Sequence, residues 1–400
     1  MTETYRPFCP APFREFRLST AGDLSLCAPS RLRTPVVGNI LRDGIEGSWN
    51  SEQARDFRRS ILDGSFSNCK AAHCPALQKQ ALPDAPSIQN PRLRDIIDNQ
   101  RVVLEDGPTS LNLSYDITCN LKCPACRPSI VGLKGRDLER VLALKDLLLK
   151  SSIIDGASSL LLCGFGDPFA SRPHLEFLRS LDVHRFRKLR IVLLTNGLLL
   201  TPQMWRTFPD AHPLIEEIAI SIDAATAETY TLNRGGKFDR LLENLEFISE
   251  LRRDSVIRTF RINFVVQANN FREMPSFVAL GSGLGADTVL FQKLANAGNA
   301  HMHDYTSRAV HLEDHPDNKE FRQLLQHEIF LNPIVELYTI SDQRINNNNS
   351  KNEEVDVSTQ ITAATDNVLI STSNDARTSS ASRGLSFPAL ERFRLWLKRL

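Results

Sequence analysis

From about residue 108 onward, apolar runs of strand length alternate with helix-periodic segments, and few folds other than β–α units closing a parallel sheet use that rhythm. Six strands are predicted, at 110–117, 159–164, 189–195, 216–223, 260–267 and 287–294. Most read as nearly continuous apolar runs, as strands buried on both faces do. After the fourth, Phe238, Leu241, Leu242, Leu245 and Ile248 fall on one helical face and predict a core-facing helix. The expected fold class is α/β, a partial (β/α)6 TIM-like barrel over 108–300, with a helical extension over 301–340.

Upstream, residues 1–84 hold Cys9, Cys27, Cys69 and Cys74, a Gly-Asn turn at 38–39, and an amphipathic stretch with Phe57, Ile61 and Leu62 on one face. Little else there predicts a large core, so a small metal-stapled module is expected. Pro83, Pro86 and Pro91 then predict an extended linker over 85–107 rather than a helix. From 341 to 386 Asn, Ser, Thr and Asp dominate, including the run Asn346 to Asn349, and a disordered tail is expected. The last stretch, 387–400, places Leu390, Phe393, Leu397 and Leu400 at helical spacing among basic residues and predicts an amphipathic helix that docks on the protein itself or meets a membrane surface or partner.

In 400 residues Lys+Arg number 48 and Asp+Glu 47, a net charge of +1, so no global field argues for nucleic acid or an anionic membrane. The first residues lack an apolar signal core and no run is long enough to span a bilayer, so a cytoplasmic protein is expected. In a reducing compartment eight cysteines point to metal or cluster ligation rather than disulfides.

Cys119, Cys123 and Cys126 lie just past the first predicted barrel strand, where β–α loops build the functional face of such barrels. Three thiolates on a four-iron cubane leave one iron open for a chelating ligand. Zinc is the alternative, since these spacings also serve structural zinc. Here a fourth local ligand is missing: neither Asn120 nor Lys122 suits, and the nearest histidine in the barrel segment is His174.

This Cys-x-x-x-Cys-x-x-Cys stretch resembles the cluster loop of the radical S-adenosylmethionine (SAM) superfamily over about 108–300. Gly164-Phe165-Gly166-Asp167-Pro168 resembles that family's Gly-Gly-Glu-Pro motif, with Asp in place of Glu. Thr195 and Asn196 after the third strand, Ser221 and Asp223 after the fourth, and Arg234 in Tyr-x-x-x-Arg-Gly-Gly match positions that relatives use for SAM. Ala125 stands where the family often has an aromatic residue. The resemblance implies a [4Fe–4S] cluster on Cys119, Cys123 and Cys126, one-electron cleavage of SAM to an adenosyl radical, an electron donor such as a flavodoxin or ferredoxin, and hydrogen abstraction from a substrate.

Upstream, the segment from Cys9 to Cys74 is similar to a SPASM domain, a module holding auxiliary [4Fe–4S] clusters. It precedes the barrel instead of following it and has four cysteines rather than seven, implying one auxiliary cluster on Cys9, Cys27, Cys69 and Cys74; a four-thiolate zinc site is the rival. Such relatives often act on peptides, so a peptide or protein substrate leads, with a sugar or other small metabolite behind it. A catalytically inactive metal-stabilised binding protein is the alternative from another class. Cys163, at the end of the second strand, is either a hydrogen-atom donor or a small core residue.

Overall fold

The computed structural model describes residues 5–27, 35–71, 74–163, 165–296 and 305–344. Gly164, the tail from 345 onward and the expected terminal helix lie outside the described residues.

Among the described residues ten strands form one sheet: β1 (Glu15–Leu18), β2 (Asp23–Ser25), β3 (Val36–Asn39), β4 (Ser110–Leu113), β5 (Ser159–Leu162), β6 (Arg190–Thr195), β7 (Ile215–Ser221), β8 (Thr259–Val266), β9 (Thr288–Lys293) and β10 (Val335–Glu336). Their order is β10-β9-β8-β7-β6-β5-β4-β1-β2-β3. The six predicted barrel strands are β4 to β9, joined in parallel through consecutive neighbours. The partial barrel gains a parallel strand at each edge: β1 beside β4 and β10 beside β9. Strand β10 comes from the segment expected to be only helical.

The strands are not buried on both faces. Leu111, Leu113, Leu160, Leu162, Ile191 and Leu193 are wholly or almost wholly buried, sharing one core with Val141, Leu144 and Leu148 of the helix Gly135–Lys150. Their neighbours in the alternation, including Asn112, Leu161 and Val192, are half-buried and line the lumen. The helix Phe238–Arg253 buries Phe238, Leu241, Leu242, Leu245 and Ile248, the predicted stripe. Among the described residues no helix is long and apolar enough to cross a membrane.

The N-terminal region packs into this same sheet and core instead of standing apart with a core of its own. Phe13, Phe16, Trp49, Phe57 and Ile61 belong to the same core as Leu111 and Leu113. Arg58, fully buried, donates to the carbonyls of Pro12, Trp49 and Val102 and to Asn50, and its guanidinium lies 4.4 Å from the Trp49 ring centroid. Burial, with Arg92 nearby, pulls its pKa down to about 9. The expected Gly38-Asn39 turn is the end of β3: Asn39 caps the helical segment Ile40–Trp49, and a Cβ on Gly38 would lie 2.9 Å from that of Ser48.

The linker is not extended throughout. A helix, Pro91–Asp98, occupies its middle, with Asn90 accepting from the Leu93 N–H and Pro91 in the first turn, where a missing N–H costs nothing. Leu93, Ile96 and Ile97 are its buried face.

Candidate active site

Beyond Leu113 the backbone leaves the ladder and Asp116 organises the turn: its Oδ1 accepts from Thr118 N and its Oδ2 from Ser171 Oγ. Cys119 N then donates to Val131 O at 2.9 Å, pinching the intervening loop shut at its base. Within the loop Cys123 O accepts from Cys126 N (2.8 Å) and Arg127 N (3.0 Å), a helical turn that brings positions three apart to one side. Cys119 and Cys123 are buried and Cys126 is exposed. Arg127 ties the loop down, donating to Ile117 O at 2.7 Å and to Phe165 O.

Asp167 locks the next two loops onto the first. It is fully buried; its Oδ2 accepts from Thr195 Oγ1 (2.7 Å) and Asn196 N (2.8 Å), its Oδ1 from Phe169 N, and its own N–H donates to Thr118 O. Burial pushes its carboxyl pKa up, opposed by the Thr195 and Asn196 hydrogen bonds. A Cβ on Gly166 would lie 2.4 Å from Thr118 O, so only glycine lets these loops approach this closely. Pro168 is buried behind the turn. Asn196 carries the lock to the cysteines: its Nδ2 donates to Asn120 Oδ1 at 2.9 Å and lies 3.9 Å from Cys119 Sγ.

Arg234 reaches the triad from the other side. Its Nη1 is 3.6 Å from Cys123 Sγ and its Nε is 3.0 Å from Asp223 Oδ2, with both side chains largely buried. Asp223 Oδ1 also accepts from Val265 N at 2.7 Å, and its backbone sits at φ 62, the left-handed region. Arg234 is therefore an ion-paired brace beside Cys123 rather than a solvated arginine. Tyr230, one helical turn earlier, is buried with its hydroxyl unpartnered among the described residues. Ser221 stands on the lumen face, opposite Asn263 of β8.

Cys163 is fully buried, with φ 72, next to Gly164. Its thiol acts electrostatically on Tyr115, whose ring packs edge-on against His174 at 4.7 Å. His174 is fully buried, and neither ring nitrogen meets a hydrogen-bond partner among the described residues. Burial lowers its pKa to about 4.

Cys9, Cys27, Cys69 and Cys74 stand together. Burial pushes Cys9 up to about 12 and Cys69 to about 11, and each is raised further by other members of the set; Cys27 is raised higher still, by burial and then by Cys9, Cys69 and Cys74. From the antiparallel pairing of Arg17 with Ser25, Cys27 falls level with Glu15, at the N-terminal ends of the parallel strands. The triad lies past their C-terminal ends.

Three thiols on a loop with one exposed member suit a cubane with one iron left open, and a gathered set of four thiols suits a closed one. A zinc tetrahedron needs sulfurs roughly 3.8 Å apart. Among the described residues no three His, Cys, Asp or Glu side chains are arranged to hold a single metal ion.

Sequence reasoning misses the hydrogen-bonding part of Asn120, which it tests only as a ligand. It also misses Glu273, whose carboxylate accepts from Ala225 N, Thr226 N and the hydroxyls of Thr226 and Thr229, anchoring the helix that carries Arg234. The contacts of Glu273 come from a separate β–α unit, and no local pattern announces them.

Residues 117–265 match the family model of the radical SAM superfamily, and residues 9–75 match that of the SPASM iron-sulfur cluster-binding domain. An AdoMet-dependent heme synthase of Methanosarcina barkeri is 31% identical over 189 residues, 46% of this chain and 50% of that protein. A probable GTP 3',8-cyclase of Saccharolobus islandicus is 26% identical over 191 residues, 47% of this chain and 58% of that one. The chain thus matches about half the length of these curated relatives. Among solved structures, Streptococcus suis SuiB bound to S-adenosylmethionine is similar at 16% identity and TM-score 0.39, covering 79% of this chain and 68% of that one. Native anSMEcpe with bound AdoMet and the Cp18Cys peptide is similar at 20% identity and TM-score 0.35, covering 47% and 51%.

Proposed function

For a chain that carries a radical SAM domain with a SPASM domain ahead of it, we propose an enzyme that cleaves SAM reductively and abstracts hydrogen from a peptide or protein side chain, leading to oxidation, a cross-link or epimerisation. Cys119, Cys123 and Cys126 would hold the reducible [4Fe–4S] cluster, and Cys9, Cys27, Cys69 and Cys74 an auxiliary one. With SAM bound, such a cluster would supply the chemistry of one-electron reductive cleavage of the sulfonium.

The chain's own residues prepare the place for that chemistry. Asp167 and Gly166 fix the backbone beside Thr118, where an amino group would be received. Thr195, Asn196, Ser221 and Asp223 set polar groups around the same mouth, and Arg234 presents a guanidinium beside Cys123. A flavodoxin or ferredoxin in the cytoplasm would be the electron source.

One observation carries the reading: the three-cysteine loop at the end of the first barrel strand is locked by Asp167 and Asn196 to the next two β–α loops. A small-metabolite substrate is the second reading, favoured by the names of the two curated relatives. Anaerobically reconstituted protein should bind about eight irons, as two cubanes, and release 5′-deoxyadenosine with dithionite and SAM. Unchanged release from Cys123→Ala refutes the assignment.

A further inference from the structure

The lumen of the barrel carries its own charge pattern, below the mouth where the triad stands. Strand alternation points Glu217, Ala219 and Ser221 of β7, Arg261 and Asn263 of β8, Leu290 and Gln292 of β9 and Glu336 of β10 to that face, away from the helix-packed row of Ile218, Ile220, Ile262 and Phe264. The register sets Ser221, Asn263, Leu290 and Glu336 level with one another across four neighbouring strands.

Arg261 is the cation of this wall and it is already engaged. Its Nη2 lies 2.6 Å from Glu217 Oε1, and it also acts electrostatically on Glu336. Two carboxylates therefore share one guanidinium. Both have pKa values raised by burial, which Arg261 only partly offsets. Across the lumen Arg17 of β1 is matched by Glu15. The other charges of β6 to β8, Arg190, Glu216 and Arg258, pair with one another at the strands' N-terminal edge.

Asn263 supplies an independent sign. It is 6% exposed, and its Oδ1 has no hydrogen-bond partner among the described residues. A buried acceptor without a donor costs about 1–3 kcal/mol, and this one faces the same space as Glu336, two strand spacings or about 10 Å away. What is missing between them is a donor carrying positive charge.

We infer that this layer is a substrate-specificity site that receives a cationic nitrogen, a primary amine or guanidinium, against the Glu336 carboxylate and the Asn263 side-chain oxygen, with the Glu217–Arg261 pair below them on the same wall. The inference rests on the enzyme reading above and narrows its substrate. Two carboxylates beside one ion-paired guanidinium leave this part of the wall net negative, which favours a lysine- or arginine-bearing peptide over a nucleoside triphosphate.

The test uses the anaerobically reconstituted full chain without SAM turnover and follows binding by saturation-transfer NMR. The probes are the blocked amides of lysine, arginine and norleucine, and GTP. Lysine and arginine amides should bind at least tenfold tighter than norleucine amide or GTP, and Glu336→Gln and Glu217→Gln should each weaken the lysine probe severalfold while the circular dichroism spectrum stays that of the parent. Equal binding of lysine and norleucine amides, tighter binding of GTP, or lysine binding untouched in both variants overturns the assignment; should a variant misfold, the ranking of probes on the parent decides. Failure to release 5′-deoxyadenosine would overturn the enzyme reading alone.

Discussion

The two cysteine sets lie at opposite ends of the same parallel strands, and their surroundings differ in kind. Around Cys9, Cys27 and Cys69 the dominant influences are burial and the neighbouring thiols, with Arg17 a minor counterweight. Around Cys119 and Cys123 stand Asn120, Asn196, Arg234 and Asp223, joined by hydrogen bonds and an ion pair, and Cys126 is exposed. On the proposed reading, a closed set of four would need only to be enclosed, whereas three ligands on a cluster with one open iron would need neighbours that shape what enters. The difference in polar surroundings would then separate a site that holds from a site that reacts.

The strongest challenge to that contrast is Cys9→Ser. It should remove about four of the eight irons expected and abolish turnover of substrate, while uncoupled release of 5′-deoxyadenosine persists; loss of both together would mean that the two ends do not work separately. Next comes Asp167→Ala, which strips a buried hydroxyl and a backbone N–H of their acceptor. It should lower stability by roughly 2–4 kcal/mol in chemical denaturation and weaken SAM binding, with the iron of the N-terminal set retained.

Arg58→Met sharpens the comparison from the other side. Leaving three buried carbonyls and Asn50 without their donor should cost about 2–4 kcal/mol, more than Cys9→Ser does, because the N-terminal region is held by Arg58 and the shared core. A larger loss from Cys9→Ser would show that metal is the staple after all.

The smallest effect expected is in pH. His174 has a folded pKa of about 4 against 6.5 unfolded, so its neutral form contributes fully above about pH 6.5 and the contribution is lost as pH falls toward 4. His174→Leu should flatten stability over that window, and an unchanged slope in urea titrations would remove the role.

The barrel was legible because long, strongly periodic segments announce themselves: β4 to β9 and the helix Phe238–Arg253 lie where the pattern placed them. Strands β1 and β10 were not. Four residues, Glu15–Leu18, and two, Val335–Glu336, are too short to show a period, and only the neighbouring edge makes them strands. The helix at Pro91 was legible but misread: Asn90-Pro91 is a cap followed by a first-turn proline, yet three nearby prolines suggested an extended chain. At the site, the cysteine spacing marked the loop that Asp167 and Asn196 clasp. The clasp of Asp167 across three loops, and the engagement of Arg234 by Asp223, depend on contacts between distant β–α units that no local window contains.

The pairing of β1 with β4 also sets an order of events during synthesis. Glu15–Leu18 can find its parallel neighbour only once Ser110–Leu113, roughly a hundred residues further along, has left the ribosome. Until then Phe13 and Phe16 have no β4 to close against, so the emerging chain carries an uncovered apolar segment for several seconds.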